Sequence, residues 1–203
     1  YKRPFASFFL DAPPTIPSLP LKDYRRLPGS VSQELPHQIV MDVRSHVEKR
    51  ETVLELTELN NDEVTAFHYE GSTHDDPATL ANRIREDLNI SQAEIIRLRD
   101  QGKGFNYWKG KLEKNNILVF QSSSIDLADM RGYSIFEDAF PIIVLNRKDA
   151  YAGRSFTLLH ELVHLYLRGS GLCNLEPRTD IPPEEQMLEQ FCNKVAAHIL
   201  VPL

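Results

Sequence analysis

A chain of 203 residues, 41% hydrophobic and 26% charged, holds enough apolar material for one packed domain with a small appendage. That balance excludes a disordered, collagen-like or coiled-coil chain, and a net charge of −6 with a pI near 5.7 argues against nucleic-acid binding through bulk charge. The apolar runs fall well short of the ~20 residues that a membrane span needs, and two cysteines, Cys173 and Cys192, make no disulfide framework, so a cytoplasmic location without membrane contact is expected.

Six prolines, Pro4, Pro13, Pro14, Pro17, Pro20 and Pro28, fall before residue 29. Proline fixes φ and removes a backbone donor, so residues 1–32 read as an extended arm. The arm also carries Phe5, Phe8, Phe9 and Leu10, which predicts docking on the body or on a partner. Lys2 and Arg3 ahead of this run have the outline of a secretion signal, but Asp11 and Pro13 interrupt too short an apolar segment.

Residues 33–76 read as a long helix and a loop. Ile39, Val40, Val43, Val47, Val53, Leu54 and Leu56 recur every three or four residues from about Gln33 to Leu59. Pro77 then opens a helix carrying Leu80, Ile84 and Leu88 at four-residue steps. Ser91 followed by Glu94 is a capping-box signature for a third helix through Ile95, Ile96 and Leu98, and Trp108 and Leu112 mark a fourth.

The period then changes. Three compact apolar runs, 117–120, 133–136 and 141–146, read as strands. A helix capped by Asp149 or Ser155 follows, reaching about Arg168 before Gly169 and Gly171. Residues 170–183 read as a loop, and a last helix spans about Glu184 to Leu200. The sum is an α+β chain, mostly helical with a small three-stranded mixed sheet.

Within the fifth helix lies His160-Glu161-x-x-His164. Positions four apart share a helix face, so both imidazoles can reach one ion. Glu161, turned about 100° away, can stand beside that ion without being a ligand. This is the pattern of a metal–water hydrolase, with two nitrogen ligands and a carboxylate base. The segment is apolar nearly all round, and polar groups on a buried helix are costly unless something binds them.

A catalytic zinc needs a third protein ligand and an open position. The acidic candidates downstream are Glu176, Asp180, Glu184, Glu185 and Glu189. Glu189 is preferred because it shares a helical face with Cys192, Asn193, Ala196 and Leu200, and Asn193 is placed to steady a ligand from behind. Glu185 lies one turn earlier on nearly the same face. Cys173 offers a further thiolate, and a fourth protein ligand of that kind would make the site structural.

These residues carry a family resemblance. The run Arg154-Ser-Phe-Thr-Leu-Leu-His-Glu-Leu-Val-His-Leu165, the preceding Pro141-Ile-Ile-Val-Leu-Asn146 and the segment Glu189 to Pro202 resemble the ImmA/IrrE family of zinc metallopeptidases. Trp108, Leu118-Val-Phe-Gln121 and Arg131-Gly-Tyr-Ser-Ile135 extend the likeness, so that 77–203 reads as the peptidase domain. Cys192 and Val195 stand where the family pattern has alanine and phenylalanine.

The resemblance implies a zincin-like pair of active-site helices and one zinc per chain. His160, His164 and Glu189 would be its ligands, and Glu161 the general base. It further implies a protein substrate of the repressor or antitoxin type. The arm with Asp23-Tyr-Arg-Arg-Leu-Pro28 resembles the segment that follows the helix-turn-helix of XRE-type regulators fused to such peptidases. DNA contact would then come only through a domain preceding Tyr1, since nothing within the chain reads as a helix-turn-helix. Tyr133 and His198 are open candidates for oxyanion stabilisation. The rival reading is a sensor or interaction module of a transcriptional regulator that uses the same ligands without turnover.

Overall fold

A computed structural model of the chain describes residues 36–98, 101–169 and 182–201, together with Phe9 and the backbone of 22–23 and 171–173. Most of the arm expected over 1–32 therefore lies outside the described residues. In chain order the elements are β1 (Lys22–Asp23), α1 (His37–Asn60), α2 (Pro77–Asp87), α3 (Gln92–Arg97), α4 (Gln101–Glu113), β2 (Leu118–Ser122), β3 (Gly132–Ile135), β4 (Ile142–Asn146), α5 (Tyr151–Tyr166), β5 (Gly171–Cys173) and α6 (Pro183–Leu200).

Local signals set several boundaries. Pro77 opens α2 behind Asp76, whose carboxylate accepts from Thr79 N. The Ser91–Glu94 capping box forms in both directions and starts α3. Asn61, Asn89 and Asn116 adopt the left-handed conformation just beyond α1, α2 and α4, a conformation that asparagine tolerates better than most residues. Neither expected cap of α5 is used. Ala150 holds the N-cap position, while Asp149 is engaged by Arg131 Nη1 at 3.0 Å and Ser155 bonds back to Tyr151 O.

The sheet has the order β1-β5-β3-β4-β2. Its centre is the expected mixed three-stranded unit, with β3 antiparallel and β2 parallel to β4. Gly171–Cys173, expected in a loop, pairs antiparallel with β3 instead, and Lys22–Asp23 pairs parallel with β5. An edge strand presents unpaired backbone groups, and β5 satisfies those of β3.

Strand alternation gives the sheet two unlike faces. On the front, Val119, Ile143 and Leu145 meet α5, and α2, α4 and α6 complete a large core around it. On the back, Tyr133, Ile135, Ile142 and Val144 meet Ile39 and Val43 of α1. Every residue of α5 from Thr157 to Tyr166 is buried, so this helix is the axis of the molecule.

The back also holds a buried polar cluster. Asp42 accepts from Ser122 Oγ at 2.5 Å, Ser124 Oγ at 2.9 Å and Tyr133 OH at 3.0 Å. His46 Nδ1 lies 2.9 Å from Tyr133 OH and 3.3 Å from Asp42 Oδ2. Burial alone would raise the Asp42 pKa, but hydrogen bonds with His46, Ser122 and Ser124 outweigh it and bring it down to about 2. A carboxylate with a depressed folded-state pKa stabilises the fold above its ordinary value and loses that contribution as pH falls through the lowered one. Urea unfolding between pH 4 and pH 2 should therefore show a loss of about 2 kcal/mol that is missing from Asp42→Asn. An identical pH dependence in both proteins would remove Asp42 from the acid sensitivity.

Candidate metal centre

The centre lies where the front of β3, the middle of α5 and the second turn of α6 meet. His160 and His164 stand one turn apart on α5, as their spacing requires. Their Nε2 atoms are 3.1 Å apart. Glu189 comes from α6 and spans both, with Oε2 3.1 Å from His160 Nε2 and Oε1 3.3 Å from His164 Nε2. The histidines are fully buried, while the Glu189 side chain keeps 16% exposure, so the cluster is reached from the α6 side.

The donor set fits a small divalent cation. A tetrahedral ion about 2.0–2.1 Å from its nitrogen and oxygen donors sets those donors roughly 3.3–3.4 Å from one another. The three observed separations are close to that. Among the described residues, this is the one group of His, Cys, Asp or Glu side chains that could hold a metal. Two imidazoles and a carboxylate suit zinc better than calcium or magnesium, which favour all-oxygen cages. Three ligands from the described residues would leave a fourth position of a tetrahedral ion for water or substrate.

Glu161 sits on the same helix but turns toward the sheet. Its Oε2 accepts from Ser134 Oγ on β3 at 2.8 Å, whereas its Oε1 is buried with no hydrogen-bond partner. Burial pushes its pKa above the usual carboxylate range, against the pull of His164, His160 and the Ser134 hydroxyl. Glu189 moves the other way. Burial raises it, but hydrogen bonding to His160 and His164 prevails and holds it below the usual range.

Cys192 Sγ lies 3.9 Å from His164 Nδ1, and His160 Nδ1 is buried without a partner. The Oδ1 atom of Asn193 likewise has no hydrogen-bond partner. Cys192, one residue earlier on α6, lies against His164.

Among the other candidates, Glu184 is exposed and Glu185 half-buried, and neither joins the three-residue cluster. Glu176 and Asp180 lie outside the described residues, as does the side chain of Cys173. Tyr133 is excluded from oxyanion stabilisation, because it faces the back of the sheet and donates to Asp42. The backbone carbonyl of His198 accepts from Arg85 of α2. Ser134 escaped the sequence reading because a serine inside an apolar strand gives no local signal. Its meaning comes only from the strand parity that turns it toward Glu161.

A metal that binds the folded chain alone stabilises it by mass action. At free zinc about 100-fold above its Kd, the protein should gain about 2.7 kcal/mol against unfolding, reversed by a chelator. Glu189→Ala should lose most of that gain at the same zinc concentration. A thermal or urea transition indifferent to zinc would contradict the site.

One comparison with known proteins covers the segment that carries the cluster. Residues 112–203 match the family model of the IrrE N-terminal-like domain, a peptidase family, and the match includes all three members of the cluster and Glu161. No curated protein and no solved structure gives a significant match. Over residues 112–203, from the end of α4 onward, the chain is thus similar to a peptidase family, in support of the ImmA/IrrE resemblance.

Proposed function

We propose that the chain is a zinc-dependent endopeptidase in which His160, His164 and Glu189 hold the ion and Glu161 is the general base. The observation that carries this reading is the division of labour between two buried carboxylates. Glu189 faces both imidazoles and its pKa is held down, which suits a permanently ionised ligand. Glu161 has its pKa pushed up and keeps one oxygen unpaired, which suits a group that gains and loses a proton. Neither a sensor nor a structural site requires such a base beside the ligands.

Zinc in this cradle supplies Lewis acidity, polarising a carbonyl and making water a stronger acid. Glu161 Oε1 takes a proton from the attacking water and passes it to the departing amine nitrogen, so the carboxylate ends each cycle ionised. Ser134 keeps Oε2 occupied, so Oε1 does this work. Glu189, whose side chain keeps 16% exposure while the histidines keep almost none, marks the side from which a peptide approaches the centre.

The substrate class is a repressor or antitoxin protein. This is supported by the resemblance and by the likeness to a peptidase family. Fusion to an XRE-type helix-turn-helix ahead of Tyr1, and a cytoplasmic location, belong to the same proposal. No helix among the described residues is long and apolar enough to cross a membrane.

Incubation of the zinc-loaded chain with the repressor or antitoxin encoded beside it, followed by mass spectrometry, should give two fragments from one scissile bond. Glu161→Gln should bind zinc as the parent does and cleave about 10²–10⁴-fold more slowly. Undiminished cleavage by that variant would remove Glu161 from the mechanism.

A further inference from the structure

We infer that Ser134 is a positioning residue for Glu161, and that Gly132 lets β3 approach α5 closely enough for Ser134 to do so. The inference rests on the peptidase reading for its kinetic consequence, but its structural content stands by itself.

Ser134 is fully buried in a strand whose four residues are all buried. A hydroxyl there loses its water contacts, and burial without a partner costs free energy. An alanine or valine would pack on the neighbouring Ile143 without that cost. The hydroxyl is used in one direction, toward Glu161 Oε2 at 2.8 Å. Since Oε2 is held and Oε1 is not, the hydrogen bond selects which oxygen faces the reaction. It also fixes a carboxylate torsion that is otherwise broad.

Gly132 lies two residues earlier on the same face of β3. A Cβ at that position would sit 2.6 Å from Thr157 Cγ2, 3.0 Å from Val144 O and 3.5 Å from Glu161 Oε1. The first separation is below any normal carbon–carbon contact, so a side chain at 132 would push β3 and α5 apart. Both the missing Cβ at 132 and the hydroxyl at 134 therefore act on the same carboxylate. The pair Gly132-x-Ser134 sets a distance with one residue and an orientation with the other.

The test compares zinc-loaded wild type, Ser134→Ala and Ser134→Thr. Activity is read on a quenched peptide spanning the mapped scissile bond, and the Glu161 carboxylate is located in crystal structures of each protein. Ser134→Ala should lower kcat by about 10- to 100-fold with KM and zinc stoichiometry unchanged, as is typical when a partner behind a working group is lost. Its Glu161 carboxylate should occupy more than one orientation. Ser134→Thr, which keeps the hydroxyl, should restore both within about threefold. If the alanine variant does not fold, Ser134→Cys keeps the shape with a much weaker donor and should show the same loss of kcat.

A Glu161 carboxylate that keeps its single orientation in Ser134→Ala, or a kcat within twofold of wild type, overturns the inference. Absence of cleavage by the wild type is a different failure. It defeats the peptidase reading, while the carboxylate orientations still decide the role of Ser134.

Discussion

Two imidazoles and two carboxylates placed at the core of the molecule are the constraint that everything else must accommodate. Ionisable groups buried this deeply are expensive unless paired or bound to a metal. Here they are gathered on one side of α5 and answered from two directions. Glu189 of α6 closes the cluster, and Ser134 of β3 answers Glu161. The apolar residues of α5, Leu158, Leu159, Leu162, Val163 and Leu165, pack against the front of the sheet and three helices, which holds the polar groups in register. The helix is therefore at once the centre of the core and the scaffold of the site.

The sheet divides the polar chemistry of the molecule in two. Adjacent residues of β3 point to opposite faces, so Tyr133 joins Asp42 and His46 of α1 while Ser134 reaches Glu161. Both clusters combine carboxylate, imidazole and hydroxyl, yet their states differ. On the back, the carboxylate of Asp42 accepts three hydroxyl hydrogen bonds and is held ionised. That is the condition of a latch between helix and sheet. On the front, one oxygen of Glu161 is left unsatisfied, and its burial favours the protonated form. That leaves Oε1 available for the base role proposed for it. A fully satisfied network stabilises, whereas a partly satisfied one is poised to react.

Much of this was legible in the sequence where the signal is local. The Ser91–Glu94 capping box, the proline at the start of α2 and the apolar run of β4 each lie within a few residues and appear as expected. The spacing of His160 and His164 fixes a shared helix face, and the helical face of Glu189 could be judged from its neighbours in α6. What failed depends on partners distant in sequence. Asp149 reads as a cap, but Arg131, just ahead of the neighbouring strand β3, claims it. The contact of Cys192 with His164, at 3.9 Å between Sγ and Nδ1, gives no signal in the sequence, because it depends on how α6 is rotated against α5. Tyr133 lies next to Ser134 in the sequence, but strand parity sends it to the opposite face. Edge pairing by β5 could not be read from Gly171-Leu-Cys173 alone, because an edge strand is made by the strand it joins.

The most direct test of the central claim is an anomalous-scattering map at the zinc edge from crystals of the zinc-loaded chain. The account predicts a single peak bounded by His160 Nε2, His164 Nε2 and a Glu189 oxygen, with solvent at the remaining position and Glu161 nearby but not bonded to the ion. A peak closed by a fourth protein ligand such as Cys173, or one located away from these three side chains, would contradict it.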